Sequence, residues 1–256
     1  MTRRLLAIGL FAAQLLLAVP VSGQNALRDQ QVDLALISSN AFLAGHPDML
    51  YRKWADDAYK QGRYESALRF YKRSARYADK ASQGRVAEMY WAGEGVAQDR
   101  AVAYAWMDLA AERGYRIILA IRERYWAELT EAERERASEV GQAVYAEYGD
   151  DVAKKRLERA MVKASRKVTG SRTGYVSGNL SVVSLDRGAN ANFDDALANG
   201  SSFRSERFYD KTYWKPELYW AWQAKLFNEV PRGAVEIGEL RRDPLRGVTL
   251  PEAPID

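Results

Sequence analysis

The 256-residue chain has no cysteine and a single histidine, His46. The first absence excludes disulfide scaffolds, thiolate metal sites, cysteine nucleophiles and thiol-anchored lipidation. The second leaves no partner for a two-imidazole metal site and only one histidine base. Charge of one sign is also scarce in excess: 38 basic groups stand against 34 acidic ones, a net +4. With 47% apolar and 28% charged residues, the composition excludes a disordered, collagenous or multi-pass membrane chain. What is left can bury a sizeable core and is expected to work through its surfaces rather than through chemistry.

Residues 1–23 have the layout of a secretory signal peptide. Arg3 and Arg4 precede an apolar run from Leu5 to Val21, and Ser22 and Gly23 offer a small-residue cut before Gln24. Cleavage after Gly23 predicts a periplasmic or secreted protein. It also removes two arginines, leaving 36 basic against 34 acidic groups, or +2. A chain without thiols cannot mispair in such an oxidising compartment.

From residue 24 to 167 the pattern is helical: apolar residues recur at three- and four-residue spacing and glycine and proline are sparse. Leu50, Trp54, Ala58 and Tyr59 form one stripe; Tyr64, Ala67, Leu68, Phe70, Tyr71 and Ala75 form the next, with Gly62 between them as the turn. The pattern then recurs. Ala67, Phe70 and Ala75 align with Ala103, Trp106 and Ala111, each 36 residues on, and a fixed period carried by a helix pair predicts stacked repeats. Alanines on the second helix let neighbouring helices approach, and aromatics fill the wedge between pairs. Asp99 is placed to cap a helix, Gly114 to end it in a left-handed conformation, and Thr130 with Glu133 forms a capping box ahead of a helix that Gly149 terminates.

The segment Ala81 to Gly114 resembles a Sel-one-like repeat, the bacterial relative of the tetratricopeptide repeat. The residues that carry the likeness are Met89, Tyr90, Gly93, Gly95, Val96, Asp99, Ala103, Trp106, Ala110, Ala111 and Gly114, while Val86-Ala87 stands where the family usually has Leu-Gly. Trp54 to Ala78 is closer to a plain tetratricopeptide unit. The resemblance implies an all-α, right-handed helical-hairpin solenoid used as an adaptor for proteins, and in exported members for cell-envelope assembly. It brings no catalytic, cofactor or metal residues. Partners are therefore expected to be other proteins, held at the concave face by partly exposed aromatics, with Tyr51, Trp54, Tyr59, Tyr90 and Trp91 as candidates and most of them also core.

Other motifs carry less. Gly93-Glu94-Gly95 lacks the third glycine and the preceding strand of a phosphate loop. His46, before Pro47, is expected to be a surface or capping residue in a turn. The pairs Asp56-Asp57, Asp150-Asp151 and Asp194-Asp195 diverge by about 100° on a helix and do not form a glycosidase cleft. Glu65-Ser66 matches the dipeptide of wall-cleaving lytic transglycosylases without their surrounding motifs. No enzyme is expected; glycan binding or cleavage is the alternative, with peripheral membrane binding through a basic helix beside it.

That helix is the run from Lys154 to Arg172, in which Lys155, Arg159, Lys163 and Arg166 share a face. It is a solvated end of the helical region or a surface for an anionic envelope component; nucleic acid is not expected. Residues 168–202 then read as a Gly/Ser/Asn-rich linker with room for a short strand pair. Residues 203–256 open with nine aromatics between Phe203 and Phe227, a segment that must pack back on the helices or dock on a partner. Pro216 is placed to begin a short helix there.

Overall fold

A computed structural model describes residues 34–169, 181–183 and 202–228. The signal-peptide segment, Asp194-Asp195, most of the 168–202 linker and the stretch beyond 228 lie outside these residues. The described chain is an all-α protein, its only strands being two of three residues each. It separates into two compact units. One contains residues 34–45, 181–183 and 202–208, and the other residues 46–169 and 209–228.

The smaller unit has helical backbone over 34–38 and a single turn, α1 (Asn40–Leu43), which Ser39 caps by accepting the Phe42 amide at 3.3 Å. Strands β1 (Ser181–Val183) and β2 (Ser202–Arg204) pair antiparallel with Val182 opposite Phe203. The turn α9 (Ser205–Phe208) follows, and Phe208 meets Phe42 edge-on at 6.3 Å.

In the larger unit, α2 (Pro47–Lys60) and α3 (Tyr64–Ala75) form one hairpin and α4 (Lys80–Ala92) and α5 (Arg100–Ala111) the next. Pro47 stands at the start of α2, where its missing N–H costs nothing. Gly62 turns the first hairpin at φ +71°. Between the hairpins the chain passes through Ala78 at φ +63°, an unusual value for a residue with a Cβ, and Asp79 then caps α4 by accepting the Ser82 amide at 3.0 Å. The two glycines of the second turn have separate reasons. Gly93 ends α4 at φ +75°. Gly95 combines φ +67° with a close approach: a Cβ there would lie 2.5 Å from the carbonyl carbon of Tyr64.

Asp99 caps α5 through the Val102 amide at 3.1 Å and also binds Arg136 at 2.9 and 2.5 Å. Replacing such a cap by alanine costs about 1 kcal/mol. After Gly114 at φ +72° come α6 (Arg116–Glu128), α7 (Glu131–Tyr148) and α8 (Asp150–Thr169). Thr130 and Glu133 form the reciprocal capping box at the head of α7. Gly149 closes α7 in extended rather than left-handed backbone, and it is needed for space, since a Cβ would lie 2.7 Å from the Tyr145 carbonyl oxygen.

The core runs through these pairs. Ala55, Ala58, Ala67, Ala75, Ala103, Ala110 and Ala111 are buried where helices meet, and Tyr71, Met89, Trp106, Met107 and Leu109 fill the volume between them. Helix α5 packs on α4, α6 and α7, and α8 packs on α7 and α2. The turn α10 (Lys211–Trp214) and helix α11 (Pro216–Asn228) belong to the same unit: Tyr219 is buried with Leu157 and Met161 of α8, and Phe227 stacks on Tyr115 at 4.4 Å.

Candidate functional site

The five candidate binding aromatics do not form one surface. Tyr51 and Trp54 lie together on α2 at 5.5 Å, and Trp54 also meets Phe70 of α3 at 5.7 Å. Tyr77 stacks beyond Tyr51 at 6.2 Å, and the Arg73 guanidinium sits 5.8 Å from the Tyr51 ring and 5.9 Å from Phe70. Trp54 keeps 42% of its surface in solvent. This is a patch of three to four rings with a cation over it.

The other three are occupied within the fold. The Tyr59 hydroxyl donates to Glu94 at 2.6 Å while Arg85 covers its ring at 4.6 Å; burial and the Glu94 carboxylate push the phenol up to about 12. Tyr90 accepts a hydrogen bond from Lys72 Nζ at 2.8 Å. Trp91 stacks on Tyr125 at 3.8 Å with Arg100 at 4.9 Å, so it joins α4 to α6. The repeat-pattern residues Gly93, Gly95, Asp99, Ala103, Trp106, Ala110, Ala111 and Gly114 serve turns, a cap and the core.

Lys155, Arg159, Lys163 and Arg166 are all exposed on one face of α8. With Val162 and Pro216 they line an open groove of about 710 Å³. The paired carboxylates behave as divergent neighbours: Asp56 accepts the Tyr71 hydroxyl at 2.6 Å and Asp57 binds Lys53 at 2.9 Å. Among the described residues no three acidic or imidazole side chains converge as a metal site, and no helix is long and apolar enough to cross a membrane.

His46 corrects the sequence reading. It does stand at the N-cap position of α2, but not on the surface and without a side-chain cap bond: it is fully buried, and its Nε2–H donates to the Tyr213 carbonyl at 2.8 Å. Its ring stacks on Tyr219 at 5.4 Å and meets Trp214 edge-on at 4.7 Å. An apolar and aromatic environment accepts an imidazole once its polar edge finds a carbonyl. Two residues on, Asp48 is buried too. Its Oδ2 accepts the Tyr219 hydroxyl, and Gln223 donates to the same Tyr219 oxygen at 2.9 Å. Asp48 Oδ1 has no hydrogen-bond partner among the described residues. Burial pushes this carboxyl above its ordinary range, with Asp79 adding to the rise and His46, the Tyr219 hydroxyl and Arg52 opposing it. Arg52 is itself committed to Asp79 at 2.6 Å, and Asp79 accepts from Ser74 at 3.1 Å.

A second buried network surrounds Lys80, whose side chain is inaccessible to solvent. Its ammonium reaches Glu112 at 2.7 Å, the Leu109 carbonyl at 2.9 Å and Asp150 at 3.2 Å. Asp150 also accepts from Arg113 at 2.7 and 2.9 Å. Burial works against the Asp150 charge, yet the Arg113 and Lys80 cations hold its carboxyl well below the ordinary range. Both networks join residues far apart in sequence, which is why no local motif announced them; the local signals were first-turn acids, Asp48 in α2 and Asp150 in α8, normally a favourable and solvated position.

Compared with protein-family models, curated proteins and solved structures, the chain has no significant match.

Proposed function

We propose that this chain is a non-enzymatic protein-binding scaffold of the bacterial cell envelope, exported by residues 1–23 and built as a right-handed solenoid of Sel-one-like, tetratricopeptide-related hairpins. The observation that supports this reading is the half-exposed patch of Tyr51, Trp54 and Phe70 with Arg73 over it. Aromatic and arginine side chains of this kind carry most of the energy of protein interfaces, because they bury large area at low entropic cost. The reading narrows the contact to Tyr51 and Trp54, since Tyr59, Tyr90 and Trp91 are engaged inside the fold. The two hairpins act as the rigid support that holds the patch in shape.

The test is affinity capture from an envelope extract with the wild-type chain and with Trp54→Ala and Tyr51→Ala. The expected result is a defined partner whose affinity falls by about 30-fold or more in the variants, the loss of one aromatic anchor of about 2 kcal/mol. Circular dichroism and thermal unfolding of the variants should match wild type. Retention of every partner by both variants overturns the assignment of the patch. Hydrolysis of wall glycan by the purified chain overturns the scaffold reading itself. Amino-terminal sequencing of the exported form is expected to begin at Gln24.

A further inference from the structure

We infer that the groove on α8 is a binding site for an extended acidic peptide, with carboxylates at alternate positions. Lys155, Arg159, Lys163 and Arg166 are exposed along it, and none has an acidic ion-pair partner among the described residues. Among the described residues Arg159 spends one donor, on the Lys155 carbonyl of its own helix. This contrasts with the neighbouring turn, where Lys154 is held by Asp150 at 2.9 Å. One acid, Glu158, lines the groove, and its Oε1 already accepts the Trp220 indole N–H at 3.1 Å.

Spacing selects the form of the anion. Four residues of α-helix advance about 6 Å, so Lys155, Arg159 and Lys163 present cations at about 6 Å steps, with Arg166 slightly closer. In an extended strand, side chains on one face recur about every 6.8 Å. Alternate acids of an extended chain therefore fall in step with Lys155, Arg159 and Lys163, drifting by less than about 2 Å over the three positions. The intervening side chains face the other way, and Val162, 39% exposed, with Pro216 supplies an apolar wall against which the peptide backbone and methylenes pack. A groove of about 710 Å³ accommodates a few residues of such a chain. The cations are long and solvated, so the attraction is salt-sensitive and supplies register more than affinity.

The site is separate from the aromatic patch, and the experiment keeps the two apart. Fluorescence anisotropy of labelled peptides of about nine residues is measured with the full-length chain at low and at ~0.15 M salt, conditions that differ in screening length. One peptide alternates glutamate with serine; a second has the same composition with its glutamates in one block. The alternating peptide is expected to bind several-fold more tightly and to weaken as salt rises. Lys155→Glu with Arg159→Glu is expected to lower its affinity at least 10-fold. Lys163→Gln, which removes one charge without introducing repulsion, should lower it about 2- to 5-fold, the worth of one exposed charge pair. Trp54→Ala should leave it unchanged. Equal binding of the two peptides, or affinity indifferent to both basic-face variants, overturns the inference. So does sedimentation of the chain with phosphatidylglycerol vesicles when neither peptide binds, which would make the surface a membrane contact.

Discussion

The α4–α5 hairpin and the α10–α11 segment are both rich in aromatic or alanine surface, and they are held in opposite ways. The hairpin closes with neighbours in sequence: Asp79 and Asp99 cap its two helices, Gly93 and Gly95 turn it, and buried alanines set the spacing. The α10–α11 segment has one local cap, Asp210 on the Thr212 amide, and depends otherwise on remote groups. Tyr213 is tied to His46, Tyr219 to Asp48 and Trp220 to Glu158. Local contacts are formed at little entropic cost and recur wherever the motif recurs. Remote ones must repay loop closure, and here they do so with buried polar groups.

The contrast can be broken first at the Lys80 network, which belongs to the hairpin and whose Arg113 sits 4.9 Å from the Trp220 ring of α11. Lys80→Ala removes a solvent-inaccessible ammonium and its packed stem from between two partly exposed acids, Glu112 and Asp150, and urea unfolding should show a loss of about 3–4 kcal/mol. A variant within about 1 kcal/mol of wild type would mean that Arg113 and Lys154 neutralise the acids unaided.

Gly95→Ala comes next, at about 3 kcal/mol, because it combines left-handed backbone strain with a Cβ driven against the backbone at Tyr64. The whole two-hairpin region should lose stability together, as read by exchange of α3 to α5 amides.

Tyr219→Phe, which removes the donor to Asp48, is expected to cost about 1–3 kcal/mol. Here the loss should be regional: hydrogen exchange rises in α11 and leaves α4 and α5 near wild type. Uniform acceleration across the chain would erase the distinction between locally and remotely held regions.

The smallest effect is a pH dependence. Because the folded-state carboxyl of Asp48 titrates above its unfolded value, its ionised form is disfavoured on folding. The penalty is absent below the unfolded pKa and grows as pH rises through the folded one. Asp48→Asn keeps an acceptor for Tyr219 without the charge. It should therefore be more stable than wild type at neutral pH, with the difference shrinking toward zero on acidification to the unfolded carboxyl range, about pH 4. A difference constant with pH would assign the effect to something other than this titration. Asp150 responds with the opposite sign, since its stabilising charge is lost as pH falls toward its depressed value.

Most of the helical architecture of residues 47–169 is visible in the amino acids. Asp99, Gly114 and the Thr130/Glu133 pair mark helix ends because a cap involves groups within four residues of one another, and the 36-residue offset between Ala67 and Ala103 marks equivalent buried positions. Gly149 was legible as a terminator but not for its reason, a clash with the Tyr145 carbonyl in place of left-handed backbone. The candidate site was legible only in part. Nothing in the spacing of Tyr51, Trp54, Tyr59, Tyr90 and Trp91 tells which rings face solvent, because that depends on which neighbour each meets: Phe70 leaves Trp54 half open, whereas Tyr125 covers Trp91.

The sparse chemistry noted at the outset, no cysteine and one histidine, was decided by the sequence alone, as were the helical periodicity and its breakers. Each depends on residue identity within a turn or two of chain. The tertiary structure alone decided what that single histidine does. His46 and Asp48 lie about 170 positions from Tyr213 and Tyr219, and only the packing of α11 against α2 and α8 turns a proline-flanked histidine and a first-turn acid into a buried polar lock. Periodicity reports which face a helix buries; it carries no record of which distant side chain will meet that face, because that is set by the sum of all the packed volumes between them.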